Sequence, residues 1–342
     1  MMKKIFFFSC LILSLNISAQ DFHYTMWNYA PLTLNPANTG VINSQLRVVN
    51  NYRNQWMSIS KEPFKQLAIS VDAPFMKKKF RRGSYFGAGF CYDSDKEGLA
   101  KMKTTQYMGT FAYTQSLSQA KINKITVGFS AAYTMRRFSL GGLTWDSQWD
   151  GQSYNPGLGS GEAGGFASVN FDFGAGLLWN YSKTEKKKYW LGAAYQHISN
   201  PPLSFGDIQY PRYTFHGGGQ FRTTPNSNTY IRPGVIAAVQ GPTLLVNAGA
   251  DVKYVLQDRS KYTGYQNDMA VHFGGWYRFA DAFMVDTRFD YGQFSVGMSY
   301  DFNVSGLTVI SKSRGGLELN LIWNGVFGQG PTVPTTKASF SN

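Results

Sequence analysis

Residues 166–182 read FASVNFDFGAGLLWNYS and alternate in character over a longer run than a soluble strand needs. Val169, Phe171, Phe173, Ala175, Leu177, Trp179 and Tyr181 take one face, and Ser168, Asn170, Asp172, Gly174, Gly176, Asn180 and Ser182 take the other. Successive strand side chains point to opposite sides, so this ribbon has an oily wall and a polar wall, with Leu178 alone out of place. Trp179 and Tyr181 precede the charged stretch 183–188, and Tyr189 and Trp190 follow it. Aromatic rings on both sides of a charged turn suit the level where hydrocarbon gives way to headgroups and water. A chain built this way is expected to form a membrane β-barrel.

The pattern recurs. Candidate strands fall at 44–53, 64–72, 84–92, 103–116, 122–137, 166–182, 189–197, 213–223, 228–240, 243–256, 268–279, 282–290, 293–302 and 317–327, about fourteen in all. The cleanest after the first are Ile125 to Arg136 and Phe294 to Phe302. A tilted strand spans a bilayer with about 9–11 residues, which these runs supply. If the first strand runs outward, 141–165 and 199–212 are outer loops, whereas 118–121, 224–227 and 291–292 are inner turns. Long outer loops and short inner turns are the outer-membrane habit. Two connections run against it: 257–267 is long but inner, and 241–242 is short but outer.

The fold class expected is therefore all-β, a transmembrane antiparallel barrel of outer-membrane type. High Phe, Tyr, Trp and Gly counts with only 15% charged residues agree, and beyond residue 20 no run of 18 apolar residues allows a membrane helix. Lys3 and Lys4, the apolar run 5–15 and Ile17-Ser18-Ala19 predict a signal peptide over 1–19. Residues 20–43 form a turn-rich periplasmic N-terminal segment, 44–327 the barrel, and the Pro-, Thr- and Ser-rich 328–342 a flexible tail. Phe22, Tyr24, Trp27 and Tyr29 are too many rings to hang in water, so they are expected inside the periplasmic mouth or on an envelope partner. Without the leader only Cys91 remains, which excludes an intramolecular disulfide and a cysteine metal cluster. Net charge is +13, or +11 once Lys3 and Lys4 go (31 basic against 20 acidic residues). In a secreted aromatic chain this points to anionic lipid or acidic envelope partners and not to nucleic acid. The basic stretches 77–82 and 183–188 read as solvated turns first and docking patches second.

Chemistry-bearing motifs are sparse. Asp93-Ser94-Asp95-Lys96-Glu97-Gly98 opens like a calcium loop, but the twelfth position is Thr104, so an exposed acidic loop is expected instead. His197-Ile198-Ser199, beside an outer loop, is the one candidate for hydrolase chemistry. His216 and His272 fall on polar strand faces and are expected to hydrogen-bond in the lumen. Asp172, Asp251, Lys253, Arg278, Asp286, Arg288, Asp290, Asp301 and Glu318 share those faces. They either line a channel or pair across a filled lumen. No catalytic, cofactor or metal site is assigned, and the chain reads as a non-enzyme.

Asn28-Tyr29-Ala30-Pro31-Leu32-Thr33-Leu34-Asn35-Pro36-Ala37, then Tyr52-Arg53-Asn54-Gln55-Trp56, resemble the opening of the PorP/SprF family of type IX secretion membrane proteins. Leu143-Thr144-Trp145-Asp146, the stretch Ser299-Tyr300-Asp301-Phe302-Asn303-Val304-Ser305 and Gly315-Gly316-Leu317-Glu318-Leu319 agree with it. The resemblance implies an outer-membrane barrel of Bacteroidota-type cells, working beside a separate translocation pore. Such a protein assists export or surface attachment of type IX substrates such as gliding adhesins. Its expected partners are outer-membrane lipid, type IX secretion components and an exported cell-surface protein. Trp145 and Trp149, in the long outer loop, are the expected partner contacts. A small-solute porin is the alternative.

Overall fold

The computed structural model describes residues 21, 23–57, 62–77, 83–98, 100–118, 120, 122–139, 143–159, 165–184, 187–202, 208–258, 267–306 and 308–327. The expected leader 1–19 and tail 328–342 lie outside the described residues, as do most of the basic stretch 77–82 and part of 183–188. Fourteen strands form: β1 (Leu46–Gln55), β2 (Phe64–Phe75), β3 (Tyr85–Glu97), β4 (Met102–Ser116), β5 (Asn123–Ser139), β6 (Gly165–Thr184), β7 (Lys187–Gln196), β8 (Arg212–Arg222), β9 (Thr229–Gln240), β10 (Thr243–Gln257), β11 (Met269–Arg278), β12 (Ala282–Tyr291), β13 (Phe294–Asn303) and β14 (Arg314–Gly325). Each pairs antiparallel with its neighbours in sequence, and β1 closes against β14, so no sheet edge is left unpaired. Among the described residues no helix is long and apolar enough to cross a membrane.

The period-two pattern decides which wall meets which solvent. On β6, Phe171 is 65% and Leu177 46% exposed, whereas Asp172 and Asn180 are buried. The same holds around the barrel: Phe129, Leu191, Phe215, Leu244 and Phe273 stand outward, and Arg47, Arg53, Asp251, His272, Arg288 and Glu318 are buried inward. An apolar outer face belongs in lipid. Outward rings also contact one another, tilted, from strand to strand, Tyr92–Tyr107–Tyr133–Phe171 at centroid spacings of 5.4, 6.5 and 5.2 Å.

Leu46 pairs with Gly325, so both ends of the barrel sequence lie at one rim. The strand ends flanking 117–122, 185–186, 223–228 and 292–293 lie at that rim, and those flanking 140–164, 197–211 and 304–313 lie at the other. The long-loop rim is therefore the outer one. Because the count is fourteen, β10 ends and β11 begins at the inner rim, with eleven residues between them in sequence, and 241–242 is a tight connection at the outer rim.

One expectation fails on β3. The acidic stretch 93–97 is not an exposed loop: the strand continues through Glu97, and Asp93 and Asp95 are buried in the lumen. Alternation carried these carboxylates inward and Ser94 and Lys96 outward, so the two aspartates cannot wrap one ion from a loop.

Residues 23–43 run inside the barrel. A 3-10 turn (Trp27–Tyr29), one α-helical turn (Pro31–Leu34) and a second 3-10 turn (Pro36–Asn38) fold them into a plug. Prolines open the last two turns, where a missing backbone N–H costs nothing. Tyr24, Trp27 and Tyr29 are each no more than 5% exposed, so these three rings fill the lumen, while Phe22 lies outside the described residues.

Candidate functional site: a plugged lumen and its vestibule

Each part of the plug meets a lumenal position that is shaped for it. Asn35 caps the second 3-10 turn by accepting from Ala37 N (2.8 Å), and its Nδ2 donates to Leu177 O (3.1 Å), Ala193 O (3.2 Å) and His216 Nε2 (3.1 Å). A β-carbon at Gly176 would lie 2.0 Å from Asn35 Oδ1, so only glycine admits this approach. Apolar lumenal residues are the matching sockets. Leu178 and Trp190 cluster with Ala37 and Val41; Met108 and Ala132 with Leu32; Ile322 and Val49 with Met26 and Tyr29; Ile236, Trp276 and Met284 with Trp27 and Leu34. Trp27 also stands edge-on to Trp276 at 5.9 Å.

Charged lumenal residues hold the backbone. Glu318 accepts from Thr25 N (2.7 Å) and Met26 N (3.1 Å), and Asp301 from Thr25 Oγ1 (2.6 Å), while Arg53 and Arg278 each pair with Asp301 at 3.0 Å. At the other end Asp72 accepts from Gly40 N (2.7 Å) and is forked by Arg47, whose Nη2 also donates to Asn38 O (3.2 Å). Tyr29 O accepts from Asn51 (3.2 Å) and Asn320 (3.3 Å), which face each other across the closing seam, and Arg288 lies over the Tyr29 ring at 4.5 Å. Hydrogen bonds to charged groups contribute about 1.5–3 kcal/mol each, so the set fixes one plug position. His216 and His272 do bond in the lumen, the latter to Asp290 at 2.9 Å and Asp251 at 3.3 Å.

At the outer rim the plug begins with a clamp. Asp21 Oδ2 lies 2.5 Å from His197 Nε2, and His197 Nδ1 lies 2.6 Å from Asp172. Gln209 Nε2 donates to Asp21 Oδ1 (2.6 Å), and Asp21 N donates to Gln240 Oε1 (2.9 Å). Burial pulls the imidazole toward neutrality, but the two carboxylates prevail and raise its pKa to about 9. Burial likewise opposes the charge on Asp21, yet His197, Arg212 and Gln209 bring its pKa down to about 2. Both His197 nitrogens are thus engaged, and Ser199 Oγ donates to Asp172 (2.9 Å) and to Phe171 O (3.1 Å). The candidate His-Ser pair has become part of a strut, with no ring nitrogen left to take a serine proton.

Beside the outer part of the plug lies a vestibule of about 540 Å³, lined by the outer ends of the strands and by Asp21, Tyr24, Trp27 and Leu34 of the plug. Its wall includes Asp93, Asp95 and Asn247, each with a buried Oδ1 lacking a hydrogen-bond donor among the described residues. The wall is mixed in charge, since Arg136 of β5 and Arg212 of β8 also line it.

Trp145 and Trp149 lie apart from the vestibule lining, in the outer loop between β5 and β6. There Trp149 is 58% exposed and Trp145 half-buried. The loop folds around Gln148, which accepts from Trp145 N (3.1 Å) and donates to Leu158 O (3.2 Å). Sequence reasoning passed over Gln148 and the plug's anchors Asn35, Asp72 and Asn320. The available signal was the misfit of Leu178, Met108 and Ile322 on otherwise polar faces.

A model of the family described as type IX secretion system membrane protein PorP/SprF matches residues 16–323. The chain belongs to the PorP/SprF family. As a PorP/SprF protein it is a component of the type IX secretion system and resides in the outer membrane. No curated protein matches this PorP/SprF chain. Similar solved structures include the toluene transporter TbuX of Ralstonia pickettii (11% identity, 86% of this chain and 92% of that one, TM-score 0.47). BamA of Haemophilus ducreyi (10%, 82% and 70%, 0.40) and the CymD monoaromatic hydrocarbon channel (9%, 88% and 94%, 0.47) are others.

Proposed function

We propose that this PorP/SprF protein is a non-enzymatic, non-conducting barrel that assists export or surface attachment of a partner delivered by the type IX system, a gliding adhesin being the kind of cargo. The observation that carries the reading is the plug, which runs the length of the lumen from Asp21 at the outer rim to Gly40 beside Asp72. A barrel filled with its own chain is suited to holding a partner at its rim, not to passing solutes. Trp145 and Trp149 are the proposed contact residues, since an exposed ring at Trp149 and a half-buried one at Trp145 on a folded loop give contact area at low entropic cost. The His197 strut supports the absence of hydrolase chemistry. The test compares a deletion strain with one carrying Trp145→Ala and Trp149→Ala, scoring surface adhesin by protease accessibility. Loss of one cognate surface protein with general type IX export retained is expected. An unchanged surface proteome with slowed solute uptake would favour a porin instead.

A further inference from the structure

Four neighbouring strands carry a cation in one register row of the outer wall. Lys65 on β2 is directly opposite Lys96 on β3, Lys96 is opposite Lys103 on β4, and Lys103 is opposite Arg137 on β5. Their faces are outward, in step with Ile69, Tyr92, Tyr107 and Tyr133 four positions along the same strands. Like charges directly opposite each other on a sheet repel. Glu62 approaches Lys96 at 3.6 Å, while Lys101 in the adjoining turn adds another cation. Lys96, Lys101, Lys103, Arg137 and Phe138 together line a shallow recess of about 240 Å³.

The level of the row says what lies over it. The aromatic row Tyr92–Tyr107–Tyr133 marks the boundary of the hydrocarbon, and the cations stand four residues beyond it toward the outer rim, about 13 Å along the strand. That is headgroup depth in the outer leaflet. Elsewhere at this rim the outward positions include Tyr195, Tyr213, Leu244, Tyr277, Phe283 and Phe302, with Arg314 opposite Phe302 an isolated cation, so among the described residues the run of adjacent cations is confined to one sector. Strands lie ~4.8 Å apart, so the row is about 14 Å wide, enough for two phosphates. Arg137 offers a planar fork and the lysines point charges to such groups.

We propose that the β2–β5 sector is a lateral binding site for a phosphorylated glycolipid headgroup of the outer leaflet, its phosphates lying across Lys96, Lys103 and Arg137. The occupant is a lipid because the row faces sideways into the membrane and sits against the aromatic belt.

The test uses native mass spectrometry of the purified full-length barrel with diphosphoryl lipid A, monophosphoryl lipid A or phosphatidylethanolamine, and with inorganic phosphate as competitor. The variant is Lys65→Gln, Lys96→Gln, Lys103→Gln and Arg137→Gln combined; the control is Lys183→Gln with Lys187→Gln at the inner rim. Heat-modifiable migration checks folding. Wild type and control should retain diphosphoryl lipid A, and the fourfold variant should lose at least about tenfold in affinity, with monophosphoryl lipid A weaker throughout. If the fourfold variant does not fold, Lys103→Gln and Arg137→Gln singly should each weaken binding by about threefold. Wild-type binding by the variants, an equal loss in the control, equal binding of phosphatidylethanolamine, displacement by inorganic phosphate, or no lipid bound at all would each overturn the site.

Discussion

Leu177 and Leu178 are adjacent leucines with opposite surroundings: the first stands in lipid, and the second is 1% exposed against Ala37 and Val41 of the plug. Substitution should separate them by mechanism. Leu177→Arg places a charge near the bilayer midplane and should cost about 2–4 kcal/mol in denaturant titrations of the assembled barrel, whereas Ser168→Arg on the lumenal face near the outer rim should be mild. Gly176→Val should leave the barrel assembled but push Asn35 from its seat, since a β-carbon there meets Oδ1 at 2.0 Å. Gly109→Val, whose β-carbon meets only Ala131 O at 4.0 Å, should be tolerated. Protease sensitivity of the 21–43 segment reads the difference, and equal sensitivity in both variants would count against the seat. Leu178 could be seen from sequence as an exception to alternation. Its reason could not, because the partners lie more than a hundred residues earlier and share no local pattern with it.

Among elements, the strands were legible because each carries its own period, and all fourteen appear within a few residues of where alternation places them. β3 runs on through Glu97, past the end that alternation predicts, because a run of acids has the composition of a solvated loop and only the lumen behind it makes a strand of it. The plug had no period to read, only rings and prolines without a strand to join. Its outer clamp should be sensitive to pH in a direction fixed by its two groups. His197 is raised to about 9 in the fold, so its contribution is full below about 6.5 and is lost as pH rises through 9. Asp21 is lowered to about 2, so its contribution is present above about 4 and is lost as pH falls through 2. Hydrogen exchange of the Tyr24–Tyr29 amides should therefore be slowest between about pH 4 and 6.5, after correction for intrinsic rates. His197→Asn should flatten the alkaline limb; an unchanged limb would remove His197 from the account.

For the whole molecule, the plug decides whether the barrel conducts. Purified wild-type protein in planar bilayers is expected to be silent, and deletion of residues 21–40 is expected to give steady openings while lowering the temperature at which heat-modifiability is lost. Steady conductance from the intact chain would sink the closed-barrel reading. Sequence revealed charges on the lumenal face but not whether they faced water or protein, since a fourteen-strand bore has room for either.

The amide pair Asn51 and Asn320 gives this architecture a reciprocal property. Each donates to Tyr29 O, and they stand opposite each other on β1 and β14, the first and last strands. The complete cradle for that carbonyl exists only while the two strands are joined. Docking of the segment therefore favours the shut seam by the same free energy with which the shut seam favours docking. Parting β1 from β14 to let a lipid or a chain slip sideways, and drawing the segment out along the axis, are then two views of one equilibrium.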